Sequence, residues 1–122
     1  MPSSRTKPPQ RRSRRLGLDA ERRVRLHYRL RGYRILAANA WAGRYELDLV
    51  VRRGRRLVFC EVKARTGPGY GDPLEAVGPE KARRIGHAAE SWLARRPELA
   101  GLDVSFEVVA VRGRQIERAD LH

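Results

Sequence analysis

The chain has 122 residues, enough for one domain with one hydrophobic core, and 41% of them are hydrophobic, which excludes a chain that is disordered throughout. Its 27 Lys and Arg residues against 14 Asp and Glu give a formal net charge of +13 and favour a polyanionic partner, either nucleic acid or an anionic membrane surface. A single cysteine excludes an internal disulfide framework, and three separated histidines disfavour a zinc module. No apolar run approaches the roughly 18 to 20 residues of a membrane span. We therefore expect a soluble protein of the reducing cytoplasm.

Residues 1–15 are rich in basic side chains, prolines and serines and contain no acid. The basic ones are Arg5, Lys7, Arg11, Arg12, Arg14 and Arg15. This composition predicts a disordered basic tail ahead of a folded domain at residues 16–122. The tail is interpreted either as a flexible arm that neutralises phosphates or as a solubilising extension or misassigned start.

The first predicted element is a helix over Leu18–Arg31. Ala20, Val24 and Tyr28 recur at the helical period and give it one apolar face. Gly32 follows directly, and glycine readily adopts the left-handed conformation that ends a helix. We therefore expect the helix to end at Gly32.

Three strands are predicted next. Tyr33–Asn39 alternates in side-chain character and forms a short first strand. Trp41–Gly43 follows as a turn, in which we expect Trp41 to pack into the core rather than to stack on a nucleic-acid base. Tyr45–Val51 and Leu57–Ala64 are two further runs joined by a tight connection, a pattern typical of a β-hairpin.

A loop, a second helix and one or two strands complete the prediction. Thr66–Pro73 holds too many glycines and prolines for a regular element. Glu80–Arg95 places apolar residues on one helical face, Val104–Val111 is a β-branched run, and Gln115–Arg118 is a candidate last strand. The predicted fold is therefore α/β, a small mixed β-sheet flanked by helices with an αβββαβ core.

Three charged residues of the predicted hairpin fall on one stretch of the sheet. Successive side chains of a strand point to opposite faces, so Glu61 and Lys63 share a face, and the hairpin can bring Asp48 beside them. The other neighbours of Glu61 are apolar, and burying charges there is costly unless they are paired or bound to a metal. A divalent cation between Asp48 and Glu61 would turn their repulsion into a binding site, and carboxylate oxygens suit Mg²⁺ or Mn²⁺.

Such a site predicts phosphodiester hydrolysis. The cation would polarise the phosphodiester and acidify a water molecule, while Lys63 would orient that water and offset developing charge. Glu21 is the acid of the first helix that can flank the sheet, and we assign it as a supporting ligand or a water-orienting group. The other interpretation is an ordinary ion pair of Glu61 with Lys63 on a half-exposed strand.

Several short motifs match a family pattern. They are Gly17-Leu-Asp-Ala-Glu21, Gly32-Tyr33-Arg-Ile35-Leu36, Asn39, Glu46-Leu-Asp48-Leu49-Val50, Leu57-Val-Phe-Cys-Glu61-Val-Lys63-Ala-Arg65, Gly71-Asp72-Pro73-Leu-Glu75-Ala76-Val77 and Lys81-Ala-Arg-Arg84. Together they resemble the bacterial YraN-like family of predicted endonucleases over nearly all of residues 16–111. That family is similar in fold to the restriction-endonuclease-like PD-(D/E)XK nucleases, and especially to archaeal Holliday-junction resolvases.

The resemblance implies four catalytic residues, two of which are metal ligands. The ligands are Asp48 and Glu61, and the other two residues are the catalytic lysine Lys63 and the first-helix acid Glu21. Lys81 matches a basic position at the start of the second long helix, where phosphate binding is expected. The residues expected to face nucleic acid are Glu46, Arg65, Tyr70, Lys81 and Arg84.

Two classes of function follow. The first is a metal-dependent endonuclease acting on DNA, with branched or damaged DNA among its candidate substrates, and the second is a non-catalytic nucleic-acid-binding protein that uses the same basic surface. Membrane binding is the weaker interpretation, because no predicted helix combines a wide apolar face with a basic one. Cleavage of a four-way junction would favour a homodimer, since two strands must be cut symmetrically.

Overall fold

The structure is a computed structural model that describes residues 8–65 and 77–121, with the backbone alone for residues 8–17 and for Arg65. Two α-helices and five strands follow one another in the order helix, three strands, helix, two strands. This is the mixed α/β order predicted from the sequence. The elements are α1 (Pro8–Leu30), β1 (Arg34–Ala42), β2 (Tyr45–Arg53), β3 (Arg56–Arg65), α2 (Pro79–Ala94), a short 3-10 helix (Pro97–Leu99), β4 (Asp103–Arg112) and β5 (Gln115–Asp120).

The five strands form one mixed sheet in the order β1-β2-β3-β4-β5. β2 is antiparallel to both β1 and β3, β3 and β4 are parallel, and β5 is antiparallel to β4. A parallel pair needs a long crossover connection, and α2 lies within this one. Neither described helix is long and apolar enough to cross a lipid bilayer.

Each face of the sheet carries an apolar core beneath one helix. Val24 and Tyr28 of α1 are buried together with Val58 of β3 on one face. On the other face, Trp92 of α2 packs edge-on against Phe59, with ring centroids 5.7 Å apart. Val58 and Phe59 serve opposite cores because neighbouring residues of a strand point to opposite faces.

A buried carboxylate interrupts the core beneath α1. Glu107 of β4 is 3% exposed, and Arg118 of β5 donates to both of its oxygens at 2.8 and 3.0 Å. Arg56 of β3 donates to it at 3.0 Å, and the hydroxyl of Tyr28 also donates to it. Burial acts to raise the pKa of Glu107, but the bonds from Arg118 and Tyr28 outweigh it and lower that pKa. The carboxylate of Glu107 on β4 therefore joins β3, β5 and α1 through hydrogen bonds to one side chain of each.

The first helix is longer than predicted. It begins at Pro8, so residues 8–15 of the predicted disordered tail are helical, and residues 1–7 lie outside the described part of the chain. Arginine is a good helix former, and prolines are tolerated in the first turn, where no N–H bond is lost. The end of the helix is as predicted: Gly32 has a φ of 87°, and its N–H donates to the carbonyl of Arg29 at 3.0 Å.

The first strand also extends further than predicted. The prediction that it ends at Asn39 was wrong, because β1 continues to Ala42 and the turn consists of Gly43 and Arg44. Asn39 has a left-handed backbone, with a φ of 51°, within the strand and breaks the alternation on which the prediction relied. The expectation that Trp41 packs into the core was also wrong, since Trp41 is 72% exposed.

Candidate active site

The sheet opens between β2 and β3. Pairing of these two strands ends at Leu49↔Cys60, whereas β2 stays paired with β1, and β3 with β4, up to the ends of the strands. Asp48 and Glu61 are the first residues beyond the last β2–β3 pair, and we call this opening the fork. Two carboxylates are therefore brought to the point where the sheet divides.

Asp48 holds one side of the fork. Its Oδ2 accepts a hydrogen bond from the backbone N–H of Val62 on β3 at 2.9 Å. Burial, together with the nearby carboxylates of Glu61 and Glu21, raises the pKa of Asp48 to about 7, although the Val62 bond and the charge of Lys81 act in the opposite direction. The Asp48 carboxylate thus lies in a poorly hydrated position beside like charge, where a bound cation would favour its ionised form.

Glu61 holds the other side and is paired with two lysines. It is 7% exposed, and its Oε2 lies 2.7 Å from Nζ of Lys81 and 3.2 Å from Nζ of Lys63. Burial, followed by a hydrogen bond with Lys81, lowers the pKa of Lys63 despite the attraction of Glu61. Burial also acts to lower the pKa of Lys81, but its hydrogen bonds with Glu61 and Lys63 outweigh burial and raise it. The fork therefore combines acids with cations that can contact an anionic substrate.

Glu21 approaches Asp48 from α1 and is held by Asn39. The side-chain amide Nδ2 of Asn39 donates to Oε1 of Glu21 at 3.0 Å. Asn39 lies between the two residues of β1 whose partners on β2 are Leu49 and Leu47, the neighbours of Asp48. Its left-handed backbone interrupts the regular conformation of β1 at this point. Asparagine is among the few residues besides glycine that adopt this conformation at low cost. The role of Asn39 was missed from the sequence, where the available signals were its residue type and its place among the residues that match the family pattern.

The two basic residues predicted on α2 have different partners. Lys81 joins the fork through Glu61. Arg84 instead lies 3.3 Å from the Glu80 carboxylate on its own helix, and its guanidinium lies 5.9 Å from the ring centre of Tyr45. The structure thus brings together Asp48 with Lys81 and Glu61, and leaves Arg84 on the surface of the helix.

Three further residues were predicted to contact nucleic acid, and the structure describes the side chain of one of them. Glu46 is exposed on β2, opposite Trp41 of β1. Arg65 ends β3, but its side chain lies outside the described residues, as does the whole of Tyr70. Of these three residues, the structure locates the Glu46 side chain alone, a few residues before Asp48 on the same strand.

The oxygen atoms at the fork fit a small hard cation. The contacts described above reach one oxygen of each carboxylate, Oδ2 of Asp48 and Oε2 of Glu61. The described residues contain no group of three or more His, Cys, Asp or Glu side chains that could hold a metal. Mg²⁺, however, is ordinarily bound through one or two carboxylates, with water and substrate phosphate completing its octahedron. Asp48 and Glu61 therefore fit Mg²⁺ or Mn²⁺ held jointly with a phosphate, rather than a cation enclosed by protein ligands.

Residues 20–111 match the family described as "Uncharacterised protein family UPF0102". The chain belongs to this family. Among its relatives, the UPF0102 protein of Parvibaculum lavamentivorans is 47% identical over 105 residues, which cover 85% of this chain and 77% of the relative. The UPF0102 protein of Halorhodospira halophila is 39% identical over 100 residues, covering 82% and 79%. That of Frankia casuarinae is 45% identical over 96 residues, covering 79% and 80%.

The segment that matches UPF0102 spans the whole fork. It includes Glu21, Asn39, Asp48, Glu61, Lys63 and Lys81. The strand β5 and the beginning of α1 lie outside it. The fork is therefore built entirely from the part of the chain that defines membership of UPF0102.

Proposed function

We propose that this protein is a divalent-metal-dependent nuclease that hydrolyses phosphodiester bonds in DNA on a restriction-endonuclease-like fold. The observation that carries the proposal is the meeting of Asp48, Glu61 and Lys63 at the fork of the sheet. The buried carboxylate of Glu61 beside the half-buried Asp48 and Lys63 is costly for stability alone, because each charge is at least partly removed from water. Such a group is better explained by chemistry performed there.

Asp48 and Glu61 would hold the cation. When bound, Mg²⁺ or Mn²⁺ would neutralise the charge of the phosphate and acidify the attacking water. The two carboxylates come from adjacent strands, and the bond from the Val62 N–H holds the Asp48 carboxylate against the backbone of β3, next to Glu61. A rigid backbone position is what a preorganised site requires.

The lysines and Glu21 would act on substrate and water. Lys63 lies on the same strand as Glu61, and its ammonium can donate to a phosphate oxygen and offset the charge that develops there. Lys81, which is more exposed, can contact the neighbouring phosphate. Glu21, held by Asn39, can accept a hydrogen bond from the water and orient it.

The net charge of +13 supports DNA as the substrate, because basic side chains gain free energy by displacing counterions from phosphates. The resemblance to junction resolvases supports branched DNA in particular. For that substrate we propose a homodimer, since a four-way junction has two strands to be cut symmetrically. Sedimentation with and without a four-way junction tests this part.

Cleavage of linear, flapped and four-way DNA in Mg²⁺ or Mn²⁺ tests the proposal. We expect wild-type cleavage to require the cation, and Lys63→Ala to reduce the rate by about 100-fold or more, as removal of a transition-state donor does elsewhere. Asp48→Asn and Glu61→Gln should abolish the cation-dependent part. Glu90→Gln is a matched control, because Glu90 is an exposed acid on α2 with no contact to the fork among the described residues. Equal residual cleavage by wild type and Lys63→Ala would overturn the proposal.

One observation favours the second candidate, a non-catalytic nucleic-acid-binding protein. Both lysines at the fork already pair with Glu61, so that carboxylate is compensated without a metal. This candidate predicts binding that is sensitive to salt, independent of divalent cations, and unchanged or strengthened in Asp48→Asn. Binding that the cation promotes, and that is lost in Asp48→Asn, would exclude it.

A further inference from the structure

The two tryptophans of this chain lie in opposite environments. Trp92 is 3% exposed and packs on Phe59, whereas Trp41 is 72% exposed. Among the described residues, no aromatic ring and no guanidinium packs on the Trp41 ring. A large aromatic surface left in water costs free energy, and a partner that stacks on the ring recovers it.

Trp41 stands beside the fork. Beyond the Leu49↔Cys60 pair, residues 40–47 of β1 and β2 continue as a two-stranded segment that is no longer paired with β3, and we call it the hairpin arm. Trp41 lies on this arm two residues after Asn39, the residue that holds Glu21. Its neighbour Ala42 is buried on the α2 side, so Trp41 points to the α1 side, where Glu21 also lies.

The charges around the arm favour nucleic acid as the partner. Arg44 is exposed at the tip of the arm, and a groove of about 280 Å³ between the tip and α2 is lined by Arg44, Tyr45 and Arg83. Arg83 and Arg84 share one acid, Glu80, so this side of α2 keeps a net positive charge. These cations lie at the tip of the arm and on its α2 side, whereas Trp41 lies on its α1 side, so a strand that crosses the tip would contact both. Cationic and aromatic side chains together are the combination that single-stranded nucleic acids bind.

The immediate neighbour of Trp41 indicates which part of the nucleic acid it contacts. Glu46 is its opposing residue on β2, and side chains of opposing residues lie close together. A carboxylate repels phosphate, but it can accept a hydrogen bond from the amino group of a base. The ring of Trp41 is thus suited to a base rather than to the backbone.

We propose that Trp41 stacks on an unpaired base and selects nucleic acid with a single-stranded segment at the fork. The inference deepens the proposed nuclease function and depends on it for its meaning, but it concerns binding and can be tested without cleavage. A duplex without unpaired bases hides their faces, so the selectivity arises from stacking.

The test uses a fluorescein-labelled single-stranded 20-mer and its duplex, with EDTA present so that no cleavage occurs. We expect Trp41→Ala to weaken single-strand binding about 5- to 150-fold, the range for loss of one base–aromatic stack, and to change duplex binding less than about 2-fold. Trp41→Phe should retain part of the affinity. Leu30→Ala is the matched control, because Leu30 is an exposed apolar residue at the far end of α1.

A second measurement does not depend on a destabilised variant. The difference between wild-type and Trp41→Phe emission isolates Trp41, since Trp92 is present in both proteins, and we expect the single strand to quench it. Unquenched emission with unchanged single-strand affinity in Trp41→Ala would overturn the inference, as would a loss of dimerisation in Trp41→Ala with nucleic-acid binding unchanged. If quenching occurs but Lys63→Ala and wild type show equal cleavage, the nuclease proposal fails and the base contact stands.

Discussion

The ammonium of Lys81 lies 2.7 Å from Oε2 of Glu61, closer than the 3.2 Å that separates Lys63 from the same oxygen. Lys81 stands in the first turn of α2, so this ion pair joins the helix to the fork. Partial exposure of Lys81 screens the pair and limits its contribution to stability. The pair instead fixes where the start of α2 lies relative to Glu61, and several measurable consequences depend on the charges gathered there.

In buffer containing a chelator, Asp48→Asn should raise the free energy of unfolding at pH 8 and leave it nearly unchanged at pH 4. The pKa of Asp48 is raised from 3.8 to about 7 in the folded protein, so ionising this carboxyl costs the folded state free energy. The cost grows as the pH rises from the lower pKa to the higher one and is constant above it. Each pKa unit corresponds to about 1.4 kcal/mol, and with screening we expect a gain of about 1 to 3 kcal/mol at pH 8. Urea unfolding at a series of pH values measures it, with exposed Asp103→Asn as the control. An equal difference at both pH values would contradict the prediction.

Mn²⁺ or Mg²⁺ should raise the midpoint of thermal unfolding of the wild type, but not of Asp48→Asn or Glu61→Gln. A ligand that binds the folded state alone stabilises it by about 2.7 kcal/mol at 100 times its dissociation constant. The comparison is made within each variant, so any change in basal stability cancels. Glu90→Gln should respond like the wild type, and an equal cation shift in Asp48→Asn would place the binding elsewhere.

Two substitutions of Asn39 separate its backbone role from its contact with Glu21. Asn39→Ala and Asn39→Gly both remove the amide that holds Glu21, but only alanine is disfavoured at a φ of 51°. We expect Asn39→Ala to be less stable than Asn39→Gly by about 1 kcal/mol, measured by urea unfolding. Both should lower kcat for DNA cleavage as much as Glu21→Gln does, with little change in KM. Wild-type kcat in Asn39→Gly would show that Asn39 does not position Glu21.

Loss of the buried carboxylate beneath α1 should be strongly destabilising. Glu107→Ala leaves Arg118 and Arg56 without their shared acceptor, and breaking a buried pair of this kind costs about 3 to 5 kcal/mol. Glu117→Ala, which removes an exposed acid of β5, should cost less than about 0.5 kcal/mol. Denaturant unfolding of the two variants compares them, and similar losses would contradict the structural role of Glu107.

Features that depend on short-range periodicity were predictable from the sequence. Alternation along β3 put Glu61 and Lys63 on one face, and their ammonium–carboxylate contact agrees with it. The helical period likewise predicted one apolar face for the second helix, and α2 buries Ile85, Ala89 and Trp92. In each case the residues lie within one element, so their spacing alone decides which face they share.

Features that depend on how separate elements meet were not predictable in this way. The contact of Lys81 with Glu61 arises because the parallel pairing of β3 and β4 requires a crossover that carries α2 over the fork. Trp41 is exposed because β1 continues past Asn39. In the sequence, the asparagine interrupts the alternation and was interpreted as the end of the strand. Residue spacing within one element carries no information on either arrangement.

Because pairing of β2 with β3 stops at Leu49↔Cys60, the hairpin arm is not paired with β3 and is held by the continuity of β1 and β2 and by packing of Ala42 and Leu47 in the core beneath α2. Residues inserted or deleted at its turn, Gly43 and Arg44, would change how far the arm reaches without moving that last pair or the acids beside it. Turns that connect two strands at the protein surface tolerate such length changes well. The fold thereby separates the part that can diversify in evolution, the reach of the arm, from the part that must stay fixed, the spacing of Asp48 and Glu61.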